Sequence, residues 1–294
     1  MKLINQNVEE WHCGYTLPEI WSHIAKCARV CYQSEPRNNG ETDEEFVKRV
    51  ILRNYSFEEI GESRELQLKL HCSCLEHGTV YLDIPCEEDT LTVIRFFKNN
   101  IYSKHNCATN AHYHITTNMR VIIENNLMNV LHYITKPNVF HYLRTTFNII
   151  TDIGVARELA RHRTHSISEE STRYCNYGKS KFSNELTFII PEWVETRCPN
   201  TEHSCPSSAD IYWSSACKEA ESNYLRFLEN GWTPQQARQI LPLSTKVQTI
   251  HTAFESDWAE FISLRADACS GSVHPNMKVI ANKIKCLISK ENAI

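Results

Sequence analysis

Between Arg161 and Tyr174 the chain reads RHRTHSISEESTRY, and those fourteen residues hold Arg161, Arg163, Arg173, His162, His165, Glu169 and Glu170 among five serine and threonine hydroxyls. Only Ile167 would help to fill a core. Guanidinium forks beside hydroxyl donors suit phosphate oxygens, so Ser166, Ser168, Ser171 and Thr172 around these cations point to a phosphorylated ligand. Just upstream, Arg157 and Arg161 are four residues apart and face the same way on a helix. Like charges at that spacing repel by about a few tenths of a kcal/mol, and Glu158 is placed to reach Arg161 and His162. For any single arginine pair a solvated, charged helix end explains as much. The density of hydroxyls favours a ligand.

Two more arginines stand out by position. In SDWAEFISLRADA, Trp258, Phe261, Ile262 and Arg265 follow the i, i+3, i+4, i+7 spacing of an apolar helix face. A cation on that face is at least partly buried and needs a partner, either Asp267 or a distant carboxylate in a salt bridge, or a ligand. Arg238 lies in TPQQARQILP, whose two prolines fix the ends of a short rigid helix. HCSCLEH (71–77) groups two histidines and two thiols. Its C-x-C spacing is shorter than a zinc site uses, and Cys72 and Cys74 are expected on one strand face that His71 and His77 do not join. HYH (112–114) lacks an acidic or thiol neighbour in sequence and reads as a surface strand. Neither a nucleophile elbow nor an activated-thiolate context is visible.

These groups need elements to hold them. TLPEIWSHIAKCARVCY reads as a helix with Ile20, Ile24, Cys27, Ala28 and Cys31 on one stripe, and TDEEFVKRVIL opens with a Thr42–Glu45 capping box. GTVYLDIP (78–85) alternates as a half-buried strand stopped by Pro85. HITTNMRVIIENNLMNVL reads as a strand running into a helix, HYLRTTFNII (141–150) as a strand, and IGVARELARHR as a helix. ELTFIIP (185–191) is a further strand, followed by a surface loop near 198–210. Helices are expected over about 212–230, ended by Gly231, then over TPQQARQILP, SDWAEFISLRADA and HPNMKVIANKIKCLI. Strands scattered among helices make one α+β domain over 1–294.

Composition narrows the function. With 41% hydrophobic and 22% charged residues the chain is ordinary globular material, and its net charge of −4 argues against non-specific nucleic-acid binding. The opening MKLINQNVEEW lacks a signal peptide's apolar run, and no stretch reaches a membrane span. The expectation is a soluble cytoplasmic protein with no nucleic-acid or membrane partner. Its thirteen cysteines are then reduced, small and apolar in role rather than a disulfide framework. The eight glycines are too scattered for a dinucleotide fingerprint or Walker loop. Any phosphate is therefore held by side chains and helix ends.

RHRTHSISEES, an R-H-R followed after seven residues by Ser171, resembles the signature of the flavin-dependent thymidylate synthases. IAKCARVCYQSE (24–35), HCSCLEHGTVYLDI (71–84), GWTPQQARQILP (231–242) and DWAEFISLRADA (257–268) resemble further blocks of that family, in the family's order. The resemblance implies an α+β (α/β) fold with a central antiparallel sheet flanked by helices, assembled as a homotetramer with sites shared between subunits. It implies FAD as cofactor and methylation of dUMP to dTMP, with methylenetetrahydrofolate as carbon donor and NADPH as reductant. Carried over, His71, Ser73, Arg161, His162, Arg163 and Glu169 hold the flavin, with Ser256, Glu260 and His274 near it. Arg157, Glu158, Glu170, Ser171, Thr172, Arg173 and Arg238 line the nucleotide, and Arg265 faces the uracil. Arg265 and Ser171 stand at the reacting centre. Ser171, without a neighbouring general base, is a positioning hydroxyl rather than a nucleophile. No metal is implied.

The chain departs from better-known members where Ser168 replaces a frequent Asn, Phe254 and Ser256 replace Asn and Arg, Glu260 replaces an amide, and Glu158 replaces Gln. Two other readings remain: a related flavin- and folate-dependent C5 methylation or hydroxymethylation of another pyrimidine nucleotide, or a silent nucleotide-binding relative.

Overall fold

The computed structural model describes residues 1–36, 40–109, 111–194, 207–269 and 271–291. In chain order its strands are β1 (Lys2–Ile4), β2 (Asn7–Trp11), β3 (Thr79–Pro85), β4 (Lys104–Thr109), β5 (His112–Asn118), β6 (Arg144–Asp152), β7 (Ser166–Glu169), β8 (Thr187–Ile189) and β9 (Lys246–Phe254). The helices are α1 (Leu17–Val30), α2 (Asp43–Val50), α3 (Phe57–Glu62), α4 (Arg64–Lys69), α5 (Leu91–Asn99), α6 (Met119–Glu124), α7 (Ile153–Leu159), α8 (Ser208–Glu229), α9 (Pro234–Ala237), α10 (Glu255–Arg265) and α11 (Pro275–Glu291). None is long and apolar enough to cross a membrane.

The mixture is α+β, and antiparallel sheets are flanked by helices as expected. The strands form three sheets rather than one. A four-stranded antiparallel sheet runs β2-β6-β9-β7, a three-stranded one β3-β5-β4, and β1 pairs with β8 in parallel. The β6–β9 ladder is in register over its full length, from Arg144 opposite Phe254 to Asp152 opposite Lys246. One face of the four-stranded sheet, through Val8, Phe147, Ile149 and Ala253, packs on Val155 and Leu159 of α7, Trp258 and Phe261 of α10, and Met277, Ile280 and Ile284 of α11. Its other face meets α1, where Ile250 packs with Cys27 and Val30. The same α1 turns Ile20, Trp21 and Ile24 into a second core shared with β3, β5 and α6. Two apolar stripes on one helix thus join two layers.

Capping explains several boundaries. Thr42 with Glu45 and Thr233 with Gln236 form the expected capping boxes. Asn118 accepts from Val121 N, so β5 turns directly into α6. Gly231, at φ +87°, follows the end of α8 in the left-handed region that glycine tolerates. The expected loop near 198–210 lies mostly outside the described residues; within them, Ser208 to Asp210 are helical, because Ser207 and Asp210 cap α8 reciprocally.

Three expectations change. Cys72 to His77 form a 3₁₀ turn, not a strand. That turn packs Cys72, Cys74 and Leu75 into the core beside α1. β3 is covered on both faces at Thr79, Val80, Tyr81 and Leu82 rather than half-buried. His112 and His114 do have an acidic neighbour: cross-strand register places Asp83 Oδ1 2.8 Å from His112 Nδ1 and 3.7 Å from His114 Nδ1.

Gly78 closes the turn at an ordinary φ, so its role is space. A Cβ there would stand 2.5 Å from Ile24 Cδ1 and 2.8 Å from Ile24 Cγ1. Ile24 is fully buried and has nowhere to move. Gly78→Ala should therefore destabilise the fold by about 1–3 kcal/mol, read as a lower denaturation midpoint; an unchanged midpoint would show that the turn and α1 can separate freely.

Candidate functional site

α7 and α10 begin where β6 and β9 end, with no residue between. Asp152 caps α7: Oδ1 accepts from Val155 N at 2.8 Å, and Oδ2 accepts from Asn276 Nδ2 at 2.8 Å, which ties in the start of α11. Because β6 and β9 are antiparallel, the two helices leave from opposite ends of the ladder, and both pack on the same core. Where they meet, Arg265 Nη1 donates to Glu158 Oε2 at 3.1 Å and Nε donates to His162 Nε2 at 3.2 Å.

The stripe on α10 thus delivers a part-buried arginine to a distant carboxylate. Asp267 is engaged instead by Lys285 at 2.6 Å. To accept at Nε2, His162 must be a neutral imidazole; burial, then the Arg265 and Arg161 charges, pull its pKa down to about 4. Arg265 Nη2 makes no hydrogen bond within the described residues. Two nitrogens anchor the guanidinium and the third can serve a ligand. Glu158 does not pair with Arg161 as its spacing suggested, because the helix ends at Leu159 and the i+3 geometry is lost there.

The phosphate candidates gather around α9. Arg238 Nη1 lies 3.4 Å from Thr172 Oγ1, a long contact, and Arg173 Nε donates to Gln235 Oε1 at 2.9 Å. Ser171 N donates to Cys31 O at 2.9 Å, fixing this segment against the end of α1. Arg157, Arg161 and Arg163 are exposed and form no ion pair among the described residues. Glu170 points inward. Its Oε2 accepts from Lys246 Nζ at 2.6 Å and Gln248 N at 3.1 Å, and Oε1 accepts from Tyr177 OH at 3.0 Å. Ser166 and Ser168 are also buried, because 166–169 is strand β7, paired with β9. Ser166 accepts from Arg144 Nη2, and Ser168 Oγ lies 3.0 Å from His77 Nε2.

A cavity of about 360 Å³ opens beside β7, walled by Ala28, Phe46, Val50, Ile51 and Ile167, with His71, Ser73, Ser168, Glu169, Cys31 and Cys74 among its polar groups. Surrounding protein, then the charge of Glu170, raises the Glu169 carboxyl above its ordinary range, with Arg157 opposing. His71 and Ser73 thus line the same cavity as Glu169, almost a hundred residues further along the chain. An apolar slot with a few convergent polar groups fits a flat heteroaromatic ring, and its volume falls within the roughly 300–1,000 Å³ of small-molecule sites. It is too small for a whole dinucleotide; the exposed Arg161 and Arg163 are cations suited to a phosphate portion outside it.

Other expected residues lie apart. Ser256 accepts from Lys104 Nζ, Glu260 is exposed on α10, and His274 leads into α11 with its ring 5.5 Å from Trp193. Sequence reasoning missed the contribution of α2: Arg49, Val50 and Phe46 line the cavity, and Arg49 is held by Glu41 through Nε at 2.6 Å and Nη2 at 2.9 Å. It also missed Arg144. This part-buried cation donates to Glu76 O and Thr79 Oγ1 at 3.0 and 3.1 Å, joining β6 to the 72–77 turn. A capping box and an arginine inside an apolar strand were the available signals.

Behind the site runs a polar interior. His77 Nδ1 meets Thr252 Oγ1 at 2.8 Å, Thr252 meets Thr146 at 2.7 Å, and Thr146 meets His23 Nε2 at 3.3 Å. His165 and His251 approach through their Nδ1 atoms at 3.3 Å. Burial is the main cause that lowers His23 to about 4 and His165 to about 3, and holds His77 and His251 well below the ordinary value. These groups stay neutral when folded, whereas unfolded histidine takes a proton near 6.5. Below that pH the unfolded chain binds more protons, so stability is full at neutral pH and declines as pH falls from about 6.5 towards 4. A denaturation midpoint that is the same at pH 7.5 and pH 5 would contradict this.

A sequence model of the thymidylate synthase complementing protein family matches residues 87–291, and the chain belongs to that family. Curated relatives named flavin-dependent thymidylate synthase include one from Kosmotoga olearia, 32% identical over 137 residues, and one from Thermosipho melanesiensis, 27% identical over 137 residues. Each match covers 44% of this chain, and 56% and 57% respectively of those relatives' length. A solved UMP/dUMP methylase, PolB from Streptomyces cacaoi bound with 5-Br dUMP, aligns over 99% of this chain and 93% of its own at 19% identity and a TM-score of 0.44.

Proposed function

We propose that this chain is a flavin-dependent thymidylate synthase that methylates dUMP at C5, with FAD as cofactor, methylenetetrahydrofolate as carbon donor and NADPH as reductant. The observation that carries the reading is Arg265, anchored by Glu158 and His162 with Nη2 left over. A fixed guanidinium beside the uracil ring favours the deprotonated ring at N3, which makes C5 a better carbon nucleophile without a cysteine adding at C6. The neutral His162 and the Glu158 carboxylate hold that cation still, so no reorganisation is needed when charge develops. Arg238, Arg173 and Thr172 suit the nucleotide phosphate, and Ser171 positions the ligand. His71, Ser73, Ile167 and Glu169 would hold the flavin ring, with Arg161 and Arg163 towards its phosphates. Bound there, the flavin supplies hydride transfer. Assembly as a homotetramer with sites shared between chains belongs to the same proposal, supported by a cavity too small to enclose a whole dinucleotide.

The test is an absorbance spectrum of the purified protein under anaerobic NADPH, with and without dUMP. A flavin spectrum that bleaches faster with dUMP, followed by dTMP once methylenetetrahydrofolate is added, is the expected result. Running dUMP and UMP side by side separates the thymidylate reading from methylation of another pyrimidine nucleotide. Protein that takes up no added FAD and forms no methylated nucleotide would overturn both.

A further inference from the structure

The cavity wall carries a pair of thiols. Cys31 follows the last turn of α1, and Cys74 belongs to the 72–77 turn. Both line the cavity, Cys31 partly open and Cys74 buried. Ser168 Oγ donates to Cys74 Sγ at 3.8 Å, and Cys31, Cys74 and Ser168 line the cavity together. The Cys74 thiol first, then the Ser168 hydroxyl and the Glu169 backbone, stabilise the Cys31 thiolate and bring it down to about 7, while Cys74 is pushed up. Neither is in a disulfide. A thiolate open to small molecules beside a second, protonated thiol is the arrangement of a reactive cysteine with its resolving partner.

We propose that Cys31 and Cys74 form a hydroperoxide-reactive pair in the cavity wall, with Cys31 as the attacking sulfur and Cys74 as the resolving one. The Cys31 thiolate attacks one oxygen of the hydroperoxide. The O–O bond breaks, the leaving oxygen takes up a proton, and Cys31 becomes a sulfenic acid, oxidised by two electrons as the peroxide is reduced by two. Cys74 sulfur then attacks the sulfenic sulfur. The S–O bond breaks, the Cys74 proton leaves with that oxygen as water, and a disulfide forms. It ties the end of α1 to the 72–77 turn and narrows the cavity on that side. The inference needs no flavin and stands or falls apart from the nucleotide chemistry.

The full chain is treated with a small excess of hydrogen peroxide, blocked with iodoacetamide, digested and analysed by mass spectrometry. The expected product is the Cys31 and Cys74 peptides joined and two hydrogens lighter, restored by dithiothreitol and formed before any change at the exposed Cys269 or Cys286. Cys31 should also alkylate at least about twofold faster than those two. A roughly tenfold gain in thiolate over an ordinary thiol is partly offset by the weaker nucleophilicity of a low-pKa sulfur. In Cys74→Ser the sulfenic acid should persist at Cys31 and be trapped by dimedone; in Cys31→Ser, Cys74 should stay reduced. Peroxide that reaches Cys269 or Cys286 first, or oxidises Cys31 without linking it to Cys74 in the unaltered chain, overturns the proposal.

Discussion

Arg265→Ala should lower dTMP formation by roughly 100- to 1,000-fold, the scale on which loss of one pre-positioned electrostatic donor acts. The geometry sets this apart from a loss of fold. Arg265 is anchored by Glu158 and His162, and both partners remain partly open, so water can satisfy them once the guanidinium is gone. Arg265→Lys is expected to recover little, because one ammonium cannot span Glu158 and His162 and still present a donor to the ligand. The same variant carries a readout independent of activity. The Arg265 charge helps to depress His162, so its removal should move that imidazole up from about 4, while burial keeps it below the ordinary value. A His162 titration that stays put in Arg265→Ala would mean the two side chains do not meet in solution. Retained dTMP formation would remove Arg265 from the reacting centre.

Glu170→Ala should cost about 3–5 kcal/mol of stability, the range for breaking a buried ion pair from one side. The Glu170 side chain is 0% exposed and that of Lys246 is 18% exposed. Truncation leaves the Lys246 ammonium, the Tyr177 hydroxyl and the Gln248 N–H without their acceptor. A carboxylate that instead touches the nucleotide would show as weaker dUMP binding with an unchanged denaturation midpoint, so the two roles give opposite patterns. Adding Lys246→Met to Glu170→Ala should return part of the loss, since the second change removes the stranded charge.

The two glutamates show how far residue order reaches. Glu169 and Glu170 are neighbours with the same chemistry, yet at the end of strand β7 they point to opposite sides, one to the cavity and one to Lys246. Alternation could have assigned those sides only if 166–169 had been recognised as a strand, and Ser-Ile-Ser-Glu, with one apolar residue in four, shows no apolar period. Arg265 was legible for the converse reason: eleven helical residues are enough for the apolar period to show, and a cation on that face has few interpretations. Its partner was not legible. Glu158 is reached through the β6–β9 register, which no local pattern encodes. The same holds for Asp83 with His112 and for Arg49 at the cavity, contacts made by pairing and packing between distant segments. The helices and caps that were read, set by neighbours in sequence, came through with small shifts at their ends, whereas α3, α4, α5 and the strands β1, β2 and β9 were not read at all.

The absence of any connecting residue between β6 and α7, or between β9 and α10, places an unusual demand on chain length. Arg265 and Glu158 meet because two rods of set length are fastened to opposite ends of one ladder. An inserted residue in either rod would turn everything beyond it by about 100° and advance it by about 1.5 Å, with no slack to absorb the change. Side chains on these helices can be exchanged one at a time. An insertion or deletion between Asp152 and Glu158 instead carries the carboxylate, and one between Phe254 and Arg265 the guanidinium, to another face of its helix, so that spacing is held here as tightly as residue type.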